Sequence, residues 1–410
     1  MSRKEFAMKR NLFWCSALLL PVLLGLATYS PAAPAAPPAI PIGAVVSLSG
    51  FDSNLGHQAK AGYEMCVKDI NKVGGVFVKE YGKKIPLELT VQDMESNPQK
   101  AVSRMEYLFT SKKVVAYLGT TFISAGSGVG EKNKIPTIVV ASAVQAVHER
   151  GFKYWFSPVG KNPDTAKAIF DIMDSLPADK KPKSVAIFQE HTDFGLEMAQ
   201  TFSKEAQKRG YKVAMLDKYT PMTKDFSPLI MAAKSAGAEV LLTSPVTPDG
   251  MLMMRQMKEL DYNPKSIVII RAADDLAWGK AMGSTGDYVL LLGGWHHGVK
   301  FPGVDKLNAA CQAKFGRPAD MQAGPAYASI QILAAAIEKA GTLDTTKIRD
   351  AIAATDMMTT VGRVKFRANG TVLDPCPAAI QWQGGAQKLV WPKEFKESDF
   401  AYPAPEWKAR

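Results

Sequence analysis

The stretch "LTVQDMESNPQKAVSRMEYL" at 89–108, followed by "VVAYLGTTFISAG" at 114–126, reads as strand, helix, strand. Leu87 to Val91 and Val114 to Gly119 are short apolar runs rich in β-branched residues. Between them Asn97 and Pro98 open a helix whose inner face carries Val102, Met105 and Leu108. Proline is tolerated at the first helical position because its missing N–H would be unpaired there anyway.

The same alternation continues outward in both directions. Further strands are expected at Ile42 to Val46, Thr137 to Val140, Val185 to Phe188, Val240 to Thr243, Ile267 to Ile270 and Val289 to Leu292. These runs are continuously apolar, as strands covered on both faces require. Helical patterns fall between and after them. One runs from about Gly195 to Gly210 with Leu196, Ala199 and Phe202 inward; others carry Phe226, Leu229 and Ala233, then Ile330, Leu333 and Ile337; the last begins near Asp344 with Ile348 and Ile352 buried. Alternation at this spacing means parallel sheets joined by right-handed crossovers. Ligands in open parallel sheets bind beyond the carboxyl ends of the strands, which directs attention to the loops there.

Residues 1–39 have another pattern. Arg3, Lys4, Lys9 and Arg10 precede an apolar run from Leu12 to Leu26, interrupted by Pro21, and an Ala/Pro-rich stretch from Tyr29 to Ala39. That order of parts is a secretory signal peptide, cleaved between Ala27 and Ala36. The run is shorter than the roughly 20 residues that span a bilayer. Cys15 lies at its start, which argues against a lipid anchor. The chain is expected to be exported. Without its leader it still exceeds the size at which one core usually keeps growing, so two lobes are expected.

The formal net charge of the 410 residues is +11, but Lys60, Lys68, Lys72, Lys79, Lys83 and Lys84 are dispersed among acidic residues. A nucleic-acid surface needs clustering, so no nucleic acid is expected as partner. Cys66, Cys311 and Cys376 lie beyond the leader; one bridge at most can form, Cys311 to Cys376 being open, and Cys66 reads as a small buried hydrophobe beside Ala59, Tyr63 and Ile70. No phosphate loop, G-x-S-x-G turn or H-E-x-x-H pair occurs, and no enzyme activity or cofactor is expected. The glycines at 126–130 have the wrong spacing for a dinucleotide fingerprint and read as close packing where a helix starts. His296 and His297 are adjacent, so their side chains should diverge, and no metal is expected.

"IPIGAVVSLSG" at 40–50, "DINKVGGV" at 69–76, the stretches at 89–108 and 114–126, "IPTIVVASA" at 135–143, "ERGFKYWF" at 149–156, "HTDFGLEMAQTF" at 191–202, "DFSPLIMAAKSAGAEVLL" at 225–242 and "GRVKFRANG" at 362–370 come in a telling order. Together they resemble type I periplasmic solute-binding proteins of ABC transporters, in the branched-chain or hydrophobic amino acid branch. The resemblance implies an α/β fold of two Rossmann-like lobes with parallel sheets, joined by a three-stranded hinge and closing on a ligand. Lobe 1 would be 40–159 and 297–379, lobe 2 160–296 and 380–410, with crossings near Val159, Trp295 and Ile380. It further implies a periplasmic monomer whose partners are a small-molecule ligand and ABC permease subunits. A sensor handing its signal to a membrane partner is the alternative, and an exported hydrolase using His191 and Asp193 a weaker one.

The resemblance also assigns a cleft. Ser49 to Phe51, Thr120 with Thr121, and Ala141 with Ser142 would hold a ligand carboxylate and amine through hydroxyls and backbone N–H groups. Phe51 would wall an apolar ligand part. In the second lobe the sequence departs from the family: Phe194 and the loop from Thr243 to Pro245 stand where tyrosines are common. Asp274 or Asp275 would meet an ammonium, or start the following helix, and Arg271 could meet a carboxylate. Trp155, Trp295 and Tyr327 add aromatic surface near the cleft, leaning towards an apolar or aromatic ligand.

Overall fold

The computed structural model describes residues 35–119 and 121–410. The leader up to residue 34, and Thr120, lie outside the described residues.

Two sheets carry the architecture. The smaller has the order β4 (Leu87–Asp93), β1 (Ile40–Val46), β5 (Tyr117–Gly119), β6 (Thr137–Val139), β7 (Trp155–Phe156), and its pairings are all parallel. The larger has the order β16 (Ala386–Trp391), β15 (Ala379–Gln383), β12 (Val289–Leu292), β11 (Ser266–Ile269), β10 (Val240–Thr243), β8 (Ser184–Glu190), β9 (Lys212–Tyr219). From β9 to β12 it is parallel; β15 and β16 add antiparallel at one edge. Two hairpins complete the strands, β2 (Val76–Val78) with β3 (Lys83–Ile85) and β13 (Asp356–Thr359) with β14 (Gly362–Lys365).

The continuous apolar runs have the cause expected of them. Along β8, Val185 and Ile187 join one buried cluster with Phe170, Phe202 and Leu242, while Ala186 and Phe188 face another with Leu241 and Ile269. Successive side chains on a strand point to opposite faces, so a strand buried on both sides is apolar throughout. The helix Pro98–Lys112 is capped by Asn97, whose side chain accepts from Gln99 and Lys100 N–H, and it buries Met105 and Leu108 against the smaller sheet. Asp344 caps Thr345–Ala353 through the N–H of Lys347.

The helices Ser53–Lys72 and Ala323–Ala340 approach closely: Gln58 accepts from the Gln322 N–H at 3.2 Å and Tyr327 donates to Asp69 at 2.8 Å. The segment after β12 thus returns to the smaller sheet before the chain enters the larger one again at β15.

Several expectations need correcting. Leu196 is 43% exposed, because the inward face of Asp193–Lys208 is Gly195, Met198, Ala199, Phe202 and Ala206, and Leu196 stands about 100° off it. Cys66 is buried as expected, and Cys311 and Cys376, whose pairing the sequence left open, are free thiols, Cys311 donating to the Met65 sulfur at 3.6 Å. The His296 and His297 rings stack, with centroids 3.9 Å apart, rather than diverging. Trp155, Trp295 and Tyr327 are buried in the core. Trp295 donates to the Thr360 carbonyl at 2.7 Å and packs where a Cβ on Gly324 would stand 2.1 Å from its ring. The glycines at 126–130 do serve close packing: a Cβ on Gly126 would meet Met105 at 2.2 Å, and one on Gly130 would meet Thr137 at 2.6 Å.

Candidate functional site

A cavity of 380 Å³ opens where the carboxyl ends of the two sheets face each other. From the smaller sheet's side it is lined by Leu55, Ala141, Ser142 and Gln322; from the larger sheet's side by Asn162, Phe194, Ile270, Arg271 and Asp274. Gly160, Gly294 and Pro375, in the segments that pass between the sheets, line it too.

Two loops give this cavity its shape, and both hold a non-glycine residue in the left-handed region. Ala141, two residues beyond β6, has φ 52°, and Arg271, two residues beyond β11, has φ 73°. Such conformations cost on the order of 1–3 kcal/mol each and persist only where the surroundings fix them. Behind Ser142 the buried Lys161 donates from Nζ to its carbonyl at 2.6 Å. Burial lowers the Lys161 ammonium to about 7, with Asp164 and Glu197 partly opposing the shift.

Arg271 is bonded within the protein through Nε and Nη2. Its Nη2 donates to Glu190 and to the Ser244 carbonyl at 3.2 Å, and its Nε to the Pro245 carbonyl at 3.3 Å. Phe194 lies over the guanidinium, 5.3 Å from ring centroid to Cζ. Burial opposes the guanidinium's charge, but Glu190 and Asp52 outweigh it and its pKa is raised. Breaking such a buried pair by removing one partner typically costs about 3–5 kcal/mol.

Asp274 is different. It is 4% exposed, its Oδ1 lacks a hydrogen-bond partner within the protein, and it borders the cavity. Burial pushes its carboxyl up to about 7, with Arg271 partly offsetting this. Asn162 likewise borders the cavity, fully buried, with its Oδ1 unpartnered. The role of starting the next helix falls to the neighbour: Asp275 accepts the Ala277 N–H at 2.8 Å, ahead of Trp278–Met282.

Among the residues expected at the cleft, Ala141, Ser142, Phe194, Arg271 and Asp274 therefore come together. Ser49 does not line the cavity; its hydroxyl donates to Asp93 at 2.7 Å, fixing the turn after β1. Phe51 is 39% exposed in that turn and also lies outside the lining. Thr243 is buried and donates to the Phe188 carbonyl at 3.1 Å, a strand-end role. Thr121 begins a short 3₁₀ turn, Thr121–Gly126, directly after β5. Asn162 and Gln322 escaped the reading of the sequence. Asn-Pro at 162 gives the signal of a helix start and nothing more, and Gln322 reaches the cavity only because its helix packs on Ser53–Lys72. Among the described residues no group of three or more His, Cys, Asp or Glu side chains is placed to hold a metal.

Two mainly parallel sheets whose strand ends enclose a small polar-and-apolar cavity are the frame of a solute-binding protein. A family model for periplasmic binding proteins matches residues 39–387, and the chain belongs to that family. Leu/Ile/Val-binding protein homolog 3 of Brucella melitensis is 27% identical over 350 residues, which cover 84% of this chain and 92% of that one. Homolog 7 of Brucella suis is 26% identical over 401 residues, 89% and 94% of the two chains.

Among solved structures, the leucine-binding protein LivK of Thermotoga maritima superposes with a TM-score of 0.74 at 20% identity, covering 86% of this chain and 97% of its own. LivJ of Streptococcus pneumoniae, in complex with isoleucine, gives 0.75 at 18%, covering 89% and 100%. A solute-binding protein of R. palustris in complex with benzoate gives 0.73 at 17%, covering 90% and 97%. The expected α/β fold with parallel sheets is the fold found. The family binds substrates for ABC transporters and is extracytoplasmic; its members are not enzymes, which sets the hydrolase alternative aside. Among the described residues no helix is long and apolar enough to cross a membrane.

Proposed function

We propose that this chain is a periplasmic receptor that captures a hydrophobic amino acid between two lobes and delivers it to the membrane subunits of an ABC importer. The observation that carries the reading is the buried Asp274 carboxylate, which borders the cavity with one oxygen unpartnered. A ligand ammonium supplies the partner, and a buried charge is tolerated when it is paired. Across the cavity, Ser142 and the backbone N–H groups of the turn at Ala141 receive the ligand carboxylate, and Thr121, at the start of the turn after β5, is the further candidate for it. Leu55, Phe194, Ile270 and Leu292 offer apolar wall to the side chain.

The lobes are 40–159 with 297–379 and 160–296 with 380–410, and the cavity lies at their hinge. Support comes from the strand memberships: β1 and β4 to β7 precede residue 160, and β8 to β12 lie between 184 and 292. The receptor acts as a monomer with a cleaved signal peptide.

Calorimetric titration tests this directly. Leucine, isoleucine or phenylalanine should bind, with Asp274→Asn weakening the interaction by about 10- to 150-fold. Tighter binding of benzoate than of any amino acid would overturn the choice of ligand.

A further inference from the structure

The wall that carries Asp274 also carries a buried ion pair that solute binding as such leaves unexplained. Glu190 ends β8 with its side chain fully buried, and Arg271 borders the cavity just beyond β11. Three donors converge on the Glu190 carboxylate: Thr192 Oγ1 at 2.9 Å, Val246 N–H at 3.2 Å and Arg271 Nη2. The next helix rests directly upon it. A Cβ at position 195 would stand 2.3 Å from the Glu190 carbonyl oxygen and 2.6 Å from its Cβ, so only glycine lets Asp193–Lys208 shut water out there.

A guanidinium at the edge of a small-solute cavity is the strongest carboxylate fork a protein possesses. Here Nε and Nη2 of the fork are taken from within, and Glu190 neutralises its charge. The carbonyls of Ser244 and Pro245 take further donors of Arg271, and Phe194 covers its face. Asp52 adds negative field at both Arg271 and Asp274. The carboxyl group on this wall with an oxygen still unpartnered is that of Asp274.

We propose that Glu190 is the charge-selecting residue of this site: by occupying Arg271 it withdraws the cavity's positive anchor, so that solutes with an ammonium enter and simple carboxylic acids without one are turned away. The proposal rests on the reading of the cavity as an amino acid site, and it makes Glu190 a positioning residue that acts on the ligand through Arg271.

The test uses two probe pairs that differ only by the amine, leucine against 4-methylpentanoate and phenylalanine against 3-phenylpropanoate. Wild-type protein should prefer the amine-bearing member of a pair by about 100-fold. Glu190→Gln should cut that preference by about tenfold or more through a gain in acid binding. A folded Glu190→Gln protein with the wild-type preference overturns the role of Glu190 and leaves the amino acid site standing. Wild-type protein that binds the acids as tightly as the amino acids, or binds neither, overturns the site reading and this inference with it.

Should Glu190→Gln fail to fold, Arg271→Gln decides. Amino acid affinity should then fall by less than about tenfold with the preference for the amine kept or widened; a loss of about 100-fold would mean the guanidinium itself holds the ligand, and would overturn the proposal.

Discussion

The Glu197 carboxylate accepts the backbone N–H of Gln145 at 2.7 Å, joining a helix of the larger sheet to the loop that leaves β6 of the smaller one. Its second oxygen accepts the Ala146 N–H at 2.9 Å, and Asn162 Nδ2 donates to the first, also at 2.9 Å. A single side chain thereby clasps the two sides next to the cavity. Glu197→Ala should shift the ligand-free protein towards an open form, because each bond to a charged acceptor contributes about 1.5–3 kcal/mol. Small-angle scattering should show a larger radius of gyration for the variant, contracting when ligand saturates it. Identical scattering curves for wild type and variant, with and without ligand, would refute the clasp.

Asp274 makes stability depend on pH in a direction opposite to that of most carboxylates. Its folded pKa is raised to about 7 by burial, so the folded state keeps a proton that the unfolded chain releases near the ordinary carboxylate range. The contribution is full below that range and is lost as pH rises towards 7. Asp274→Asn should therefore stabilise the ligand-free protein at pH 8, by on the order of 2–4 kcal/mol, and change little at pH 4. Thermal melts across that range check it; an equal effect at both ends would show that the carboxyl is not held neutral.

The same group should set the pH dependence of binding. An ammonium ligand needs the ionised carboxylate, so affinity should fall as pH drops below 7, approaching tenfold per unit. Calorimetry at pH 5.5, 6.5 and 8 would reveal it, and Asp274→Asn should flatten the profile.

Ser142 provides a separate test of polarity within the cavity. Ser142→Ala removes a hydroxyl at the mouth of the turn after β6, and its loss should weaken amino acid binding by about tenfold or more while leaving the melting point of the free protein nearly unchanged. Wild-type affinity in the variant would place the carboxylate elsewhere.

Export is testable on the native protein. Mass spectrometry should find an N-terminus between Thr28 and Ile40, in keeping with the basic, apolar and small-residue order of the first 39 residues. An intact Met1 terminus on a cytosolic protein would contradict it.

The parallel strands were legible because burial on both faces leaves a local trace: Val240–Thr243 and Val289–Leu292 form at the residues their apolar runs mark. The edge strands left no such trace. Along β9 most residues of Lys212–Tyr219 are exposed or half-buried, so its composition is mixed, and β15 and β16 belong to their sheet only through a long return of the chain. The site divides similarly. Ala141, Ser142, Arg271 and Asp274 lie just past strand ends, where topology alone predicts function. Glu190 is the last residue of its own strand, and its importance lies in a pairing 81 positions away that no local pattern encodes.

The left-handed turns at Ala141 and Arg271 have a consequence for how such a receptor diverges. Both lie two residues past a parallel strand, one in each sheet, and both border the cavity. On the proposed reading the solute's charged head is held at these turns and at Asp274, while Phe194, Leu55 and Ile270 would furnish the walls. Exchanging a wall residue should then redraw the cargo without redrawing the grip, putting new nutrient preferences a few point mutations apart on an unaltered scaffold.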